Sequence, residues 1–223
     1  MKPSNFPRIK ICCISTLAEA QLAIRHGASA LGLVSEMPSG PGVIDEAQIA
    51  QIAAAVPPPV ATFLLTSKTD LAEIIAQQRR CRTSTIQLCD RLTRGTHRDL
   101  RAALPGVSIV QVIHVNGEEA ITEALEAAPE VDAILLDSGN QNLPVKQLGG
   151  TGRTHDWSLS RRIREAVEVP VFLAGGLNPA NAAEAFRQVR PFGLDVCSGV
   201  RSGGVLNNTK LRDFMALVLP GKG

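Results

Sequence analysis

Several apolar runs in this chain stop on a residue type that chemistry uses. RIKICC ends on Cys12 and Cys13, ILLD on Asp137, TIQL gives way to Cys89 and Asp90, VQVI to His114, and FGLDVC carries Asp195. A carboxylic acid closing so apolar a run as ILLD has two readings. It caps a strand and meets solvent or a lysine, or it is a general acid whose pKa the apolar surroundings raise. Cys12 is likewise either a small buried hydrophobe or a nucleophile or base. Glycine crowds three late stretches, LGGTGRT, AGGLN and CSGVRSGG, which contain Gly150, Gly175, Gly176 and the Ser198–Gly199 pair. Glycine lets backbone N–H groups converge on an anion, and a following helix N-terminus adds a favourable dipole, so these stretches predict a phosphate site. The plainer alternative is that they only make tight turns. Asn178 before Pro179 reads as a helix N-cap followed by proline in the first turn. No GxGxxG fingerprint follows the first strand, so the ligand reads as a phosphorylated small molecule.

The elements that must hold these residues alternate from end to end. Strand-like runs RIKICC, ALGLVS, VATFLL, TIQLC, VSIVQVI, VDAILLD, VPVFLAG and FGLDVC are separated by helical periodicity in LAEAQLAIRHG, DEAQIAQIAAAV, DLAEIIAQQRR, HRDLRAAL, GEEAITEALEAA, DWSLSRRIREAV, NPANAAEAFRQV and NTKLRDFMALVL. Eight strands and eight helices in 223 residues predict a single (β/α)8 TIM barrel over residues 1–223, with an open parallel sheet as the runner-up.

A barrel keeps its active site at the C-terminal strand ends, which here carry Cys12, Cys13, the SEMPSG stretch, Thr66, Cys89, Asp90, His114, Asp137, Gly175, Gly176, Ser198 and Gly199. Side chains alternate along a strand, so Lys10 and Cys12 share one face and Ile9, Ile11 and Cys13 the other. The surrounding helices take Ile9 and Ile11, which sends Lys10 and Cys12 inward. An ammonium one layer below a thiol is the kind of neighbour that stabilises a thiolate. Lys10 serves equally well as the charge partner of an interior carboxylate such as Asp195.

Composition excludes other classes. With 44 % hydrophobic and 20 % charged residues, the chain has material for a core and no sign of disorder. A net charge of +2, 3 % aromatics and no tyrosine argue against nucleic acid. The arginine runs RRIREA and QQRRCR read as solvated helix faces. No apolar run is long enough to span a bilayer and MKPSNFP has no signal core, so a cytoplasmic protein without membrane partners is expected. Five cysteines without a CxxC pair suggest reduced thiols.

KICCIS, ILLDSG, LGGTGRTHDWSL, VFLAGGLNPANAAEAF and RPFGLDVCSGV together resemble the phosphoribosylanthranilate isomerase family of tryptophan biosynthesis, over nearly the whole chain. The resemblance implies a TIM barrel that converts N-(5-phosphoribosyl)anthranilate to a carboxyphenylamino deoxyribulose phosphate by an Amadori rearrangement, without metal or organic cofactor. It implies Asp137 as the acid that opens the furanose ring and Cys12 as the base at C2. Phosphate would bind through backbone amides around Gly150, Gly175, Gly176, Ser198 and Gly199, with Lys10 and Asp195 positioning substrate. A monomer is expected.

The chain departs from the family pattern where the aglycone would sit. Cys13 replaces a glycine, and Cys89 and Asp90 replace a histidine and a glycine. Pro41, within PSGPGV, stands where the family has an arginine that pairs with the anthranilate carboxylate. Losing such a bond typically costs about 1.5 to 3 kcal/mol. Lys68, Arg91 and His114 are the candidate replacements from other strand exits. The alternatives to the family reaction are a related phosphosugar isomerase with a different aglycone, and a barrel that binds a phosphorylated ligand without catalysis.

Overall fold

In the computed structural model, residues 6–139, 143–149, 152 and 154–218 are described. Eight parallel strands form a closed barrel: β1 (Arg8–Ile11), β2 (Ala30–Val34), β3 (Ala61–Thr66), β4 (Thr85–Leu88), β5 (Ser108–His114), β6 (Ala133–Asp137), β7 (Val171–Leu173) and β8 (Gly193–Val196). Closure is set by β1, which pairs with both β2 and β8, so the open-sheet alternative falls. The outer ring is α1 (Leu17–Arg25), α2 (Glu46–Ala55), α3 (Leu71–Cys81), α4 (His97–Ala103), α5 (Glu119–Ala127), α6 (Trp157–Ala166), α7 (Ala182–Val189) and α8 (Asn208–Val218).

The alternation along each strand divides the apolar residues into two cores. Ile9, Ile11, Leu31, Leu33, Leu64 and Ile86 pack outward against the helices. Inside the barrel lie Cys12, Phe63, Leu65, Val110, Val112, Leu135 and Phe172, with Phe63 and Phe172 edge to face at 5.9 Å. The inward assignment of Lys10 and Cys12 therefore holds. Helix starts are fixed by side-chain caps: Thr16 accepts from the Glu19 N–H, Asp45 from that of Gln48, Asp70 from that of Ala72, and Asp156 from that of Ser158. The arginine runs do lie on helix faces. Arg80 pairs with Glu46, Arg162 with Glu118, and Arg161 with Glu165 at 3.0 Å.

Two local expectations change. The seventh helix begins at Ala182 rather than at Pro179: Asn178 Oδ1 accepts from Ala180 N–H at 2.9 Å, and this Asx turn holds residues 179–181 outside the helix. The glycines of RSGG do not serve an anion site. Gly203 and Gly204, at φ +57° and +80°, make the turn of a short hairpin, β9 (Arg201–Ser202) and β10 (Val205–Leu206). Among the described residues, no helix is long and apolar enough to cross a membrane.

Candidate active site

A cavity at the C-terminal end of the barrel gathers most of the residues singled out from the sequence. Cys12, Cys13, Cys89, Asp137, Gly175, Gly176, Asp195 and Ser198 all line it. Gly199 sits just behind the lining. A Cβ there would stand 2.0 Å from the Leu177 carbonyl oxygen, so only glycine lets the β8 exit close on the β7 exit. Gly175 and Gly176, at φ +84° and +63°, turn the chain sharply after β7. The side-chain amides of Asn178 and Asn181 donate to the Gly176 carbonyl at 3.2 and 3.0 Å and hold that turn. Gly152 brings the loop between β6 and α6 over the same corner: a Cβ there would lie 3.8 Å from Ser198 Oγ. Gly150 lies outside the described residues.

Below the cavity floor, Lys10 is fully buried and its Nζ is 2.9 Å from Asp195 Oδ2. The strand register makes the two neighbours across the β1–β8 seam. The ammonium also lies 5.3 Å from the centre of the Phe63 ring. Burial works against the lysine's charge, but Asp195, helped by Cys12 and Cys89, outweighs it and raises its pKa. Burial pushes the Asp195 carboxyl up, against the pull of Lys10. With both partners buried and in contact, the charged pair is the arrangement that satisfies both. The second oxygen, Oδ1, has no hydrogen-bond partner among the described residues.

Cys12 stands one layer above Lys10. A Cβ built on Gly32 would lie 2.8 Å from Cys12 Sγ and 3.1 Å from Lys10 Nζ, so sulfur and ammonium flank the same bare patch of β2. Asp137 closes β6 and is 7 % exposed. Burial pushes its carboxyl above the ordinary carboxylate range, while the Ser138 N–H, donating to Oδ1 at 2.7 Å, and His114 on β5 pull the other way. Gly149 packs against the other oxygen, where a Cβ would come within 2.9 Å of Oδ2. Around the closed barrel, β7 and β8 stand between β6 and β1, so the glycine-lined corner lies between Asp137 and Cys12.

The opposite wall is apolar: Val34, Met37, Pro41, Leu65 and Leu148 line it, and no lysine or arginine does among the described residues. The candidate cations are engaged elsewhere. Lys68 lies 3.7 Å from Glu73, Arg91 pairs with Glu123 at 2.7 Å, and His114 Nε2 lies 3.1 Å from the Cys89 carbonyl. Cys89 is buried and its thiol is pushed up to about 12, chiefly by that burial.

Two features escaped the sequence reading. Gln87 faces the cavity from β4, and its Oε1 is buried without a partner among the described residues. Its signal was parity: in TIQL it falls on the inward face, where an amide needs a partner. The second is Arg201, buried just past β8 with its guanidinium against Glu19 Oε1 at 2.8 Å and the carbonyls of Cys12 and Cys13. Burial alone would raise the Glu19 carboxyl, but Arg201 and the N–H groups of Ser15 and Leu206 hold it below the ordinary range. No local pattern pairs two residues 182 positions apart.

Cys13 departs from strand parity. Its φ of +62° is left-handed, a backbone that glycine adopts freely, and it turns the side chain into the cavity. A cysteine there is tolerated because Gly42 leaves room: a Cβ on Gly42 would be 2.5 Å from that of Cys13.

Comparison with known proteins points one way. The sequence model of the N-(5'phosphoribosyl)anthranilate (PRA) isomerase family matches residues 9–216. The chain is 35 % identical over 212 residues to the N-(5'-phosphoribosyl)anthranilate isomerase of Methanocella arvoryzae, spanning 95 % of this chain and 97 % of that protein. The phosphoribosyl anthranilate isomerase structure from Thermotoga maritima is 28 % identical with a TM-score of 0.78, over 95 % of this chain and 98 % of that one. A phosphoribosyl anthranilate isomerase solved with reduced 1-(o-carboxyphenylamino)-1-deoxyribulose 5-phosphate is 26 % identical with a TM-score of 0.75, over the same shares.

Proposed function

The chain belongs to the N-(5'-phosphoribosyl)anthranilate isomerase family, and on that premise we propose how its residues divide the work of the reaction. The protein isomerises N-(5'-phosphoribosyl)anthranilate to 1-(2-carboxyphenylamino)-1-deoxyribulose 5-phosphate in tryptophan biosynthesis. Asp137 is the general acid. It protonates the furanose ring oxygen as the C1–O bond breaks, leaving an open-chain Schiff base. Cys12, as thiolate, removes the proton from C2, and the resulting enolamine becomes the ketone of the product. The observation that carries this reading is the shared cavity: a buried carboxyl and a thiol face one space, with the glycine-lined corner between them.

The phosphate is held at that corner by the backbone around Gly175, Gly176, Ser198 and Gly199, with Gly150 assigned by resemblance. The free oxygen of Asp195 and the Oε1 of Gln87 meet sugar hydroxyls, which supplies the partners these buried atoms lack. Lys10 holds Asp195 in place and keeps a positive charge under Cys12. The aglycone ring lies against Met37, Leu65 and Leu148. The same reading takes the chain as a cytoplasmic monomer, in keeping with its five free thiols, and sedimentation of the purified protein tests the monomer.

Asp137→Asn and Cys12→Ser test the roles. Each removes one proton transfer, so kcat falls by about 10² to 10⁴-fold while the reduced product analogue still binds. Full turnover in either variant refutes its role. Asp137 donates only when protonated, and its pKa is raised. Activity is therefore lost as pH rises through an inflection above the ordinary carboxylate range, and an inflection within that range contradicts the assignment.

A further inference from the structure

Four of the five cysteines line the catalytic cavity, and the reaction as assigned uses one. Of the other three, Cys89 is buried on the β4 side. Cys13 and Cys197 lie together across the β1–β8 seam. The register Ile11↔Val196 continues upward through the bond from Cys12 N–H to the Val196 carbonyl, 2.8 Å, so Cys197 follows directly beside the end of β1. Cys197 thus stands opposite Cys12 and diagonal to Cys13, and with strands about 4.8 Å apart a neighbour one residue along stays within the Cα spacing of about 4.4 to 6.8 Å that a disulfide accepts. The left-handed turn at Cys13 swings its side chain back toward this seam.

We propose that Cys13 and Cys197 are a peroxide-sensitive pair that closes to a disulfide and reversibly shuts the site. The two thiols act on each other in the reduced protein, and they are chemically unequal. Neighbouring Cys13 and Arg201 lower the Cys197 pKa despite burial, whereas the Cys13 pKa is raised by its neighbours Cys12 and Cys197 and by burial. Cys197 is the attacking thiolate and Cys13 the resolving thiol. The Cys197 sulfur attacks one oxygen of hydrogen peroxide. An S–O bond forms, the O–O bond breaks, and the departing hydroxide takes up a proton to leave as water. The Cys13 sulfur then displaces the sulfenic hydroxyl, which leaves as a second water carrying the thiol proton. Two sulfurs are oxidised by one electron each and one peroxide is reduced to two waters.

The S–S bond, about 2.05 Å long, draws the β1 exit against the β8 exit. Cys12 adjoins Cys13 and Ser198 adjoins Cys197, so a residue on each side of the substrate moves with the bond. Removal of Cys13 from beneath Gly42 also disturbs the loop after β2.

The test treats the purified enzyme with one equivalent of hydrogen peroxide, without substrate, and reads turnover beside a non-reducing tryptic map. Peptides 11–25 and 188–201 become linked with the loss of two hydrogens, and fragmentation places the link on Cys13. Turnover falls at least tenfold in proportion to the linked fraction, and dithiothreitol restores it. Cys13→Gly, which suits the left-handed backbone, and Cys197→Ala, each compared with its own untreated activity, lose turnover far more slowly under peroxide. The proposal is overturned if no linked peptide forms, if the link maps to Cys12, or if both variants are inactivated as fast as the unmodified enzyme. The linked peptide is read independently of whether Cys12 is the base, so the disulfide and the catalytic assignment fail separately.

Discussion

The two halves of the cavity are built from different materials. On the side assigned to the phosphosugar the wall is backbone, in the turns through Gly175, Gly176, Ser198 and Gly199. On the side assigned to the aglycone the wall is the side chains of Val34, Met37, Pro41, Leu65 and Leu148. A backbone wall admits almost no substitution, because a single Cβ on Gly199 would collide with the Leu177 carbonyl at 2.0 Å. A side-chain wall tolerates exchange among apolar residues of similar volume, so the ring can still pack when those residues change.

The hardest blow to this contrast falls beneath both halves. Lys10→Met leaves Asp195 as a buried carboxylate without its cation, and breaking such a pair costs about 3 to 5 kcal/mol. Urea denaturation should show that loss. A variant as stable as the parent would mean that the pair is not held charged at the base of the site. In the backbone-built half, Gly199→Ala forces the β7 and β8 exits apart. KM rises by about 10 to 100-fold, the value of one or two charge-assisted hydrogen bonds, and inhibition by inorganic phosphate weakens in parallel. A rise in KM with phosphate inhibition intact would place the phosphate elsewhere.

The side-chain half should respond in the opposite sense. Pro41→Arg restores a cation to an exposed position on its rim. KM for the anthranilate substrate falls by about three to tenfold, since a solvent-screened pair contributes about 1 kcal/mol, and inhibition by inorganic phosphate stays unchanged. An unchanged KM would mean that the carboxylate lies away from this rim.

The same contrast explains what the sequence made legible. All eight strands and helices could be read from periodicity, because each strand has one face for helices and one for the interior. Lys10 and Cys12 were placed inward by parity alone, and so could Gln87 have been. Cys13 broke parity because a left-handed φ reverses a side chain, and nothing in KICCIS other than the family's glycine hints at it. Arg201 and Glu19 stayed hidden because their pairing is a property of barrel closure, which brings the end of β8 beside the start of α1. The double glycine of RSGG was misread because a hairpin turn and an anion cradle ask for the same residue.

The last contrast concerns how the aglycone wall is kept in place without backbone interlocking. Lys146 pairs with the buried Asp90 at the β4 exit, and the Lys146 carbonyl accepts the Ser39 hydroxyl at 2.8 Å. Three loops, after β2, β4 and β6, are thereby joined over the apolar wall, and Asp90 stands where the family has glycine. A cation that in principle could meet the anthranilate carboxylate is thus spent on loop geometry. Asp90→Asn removes the charge that holds it while keeping the side chain's size. Lys146 is half exposed, so the pair contributes about 1 kcal/mol or less. KM should rise by no more than about fivefold, with kcat and phosphate inhibition unchanged, because the proposed acid and base, Asp137 and Cys12, and the glycine turns do not depend on this latch. A fall in KM instead would show that the freed Lys146 reaches the carboxylate. The wall would then gain more from a cation than from three pinned loops.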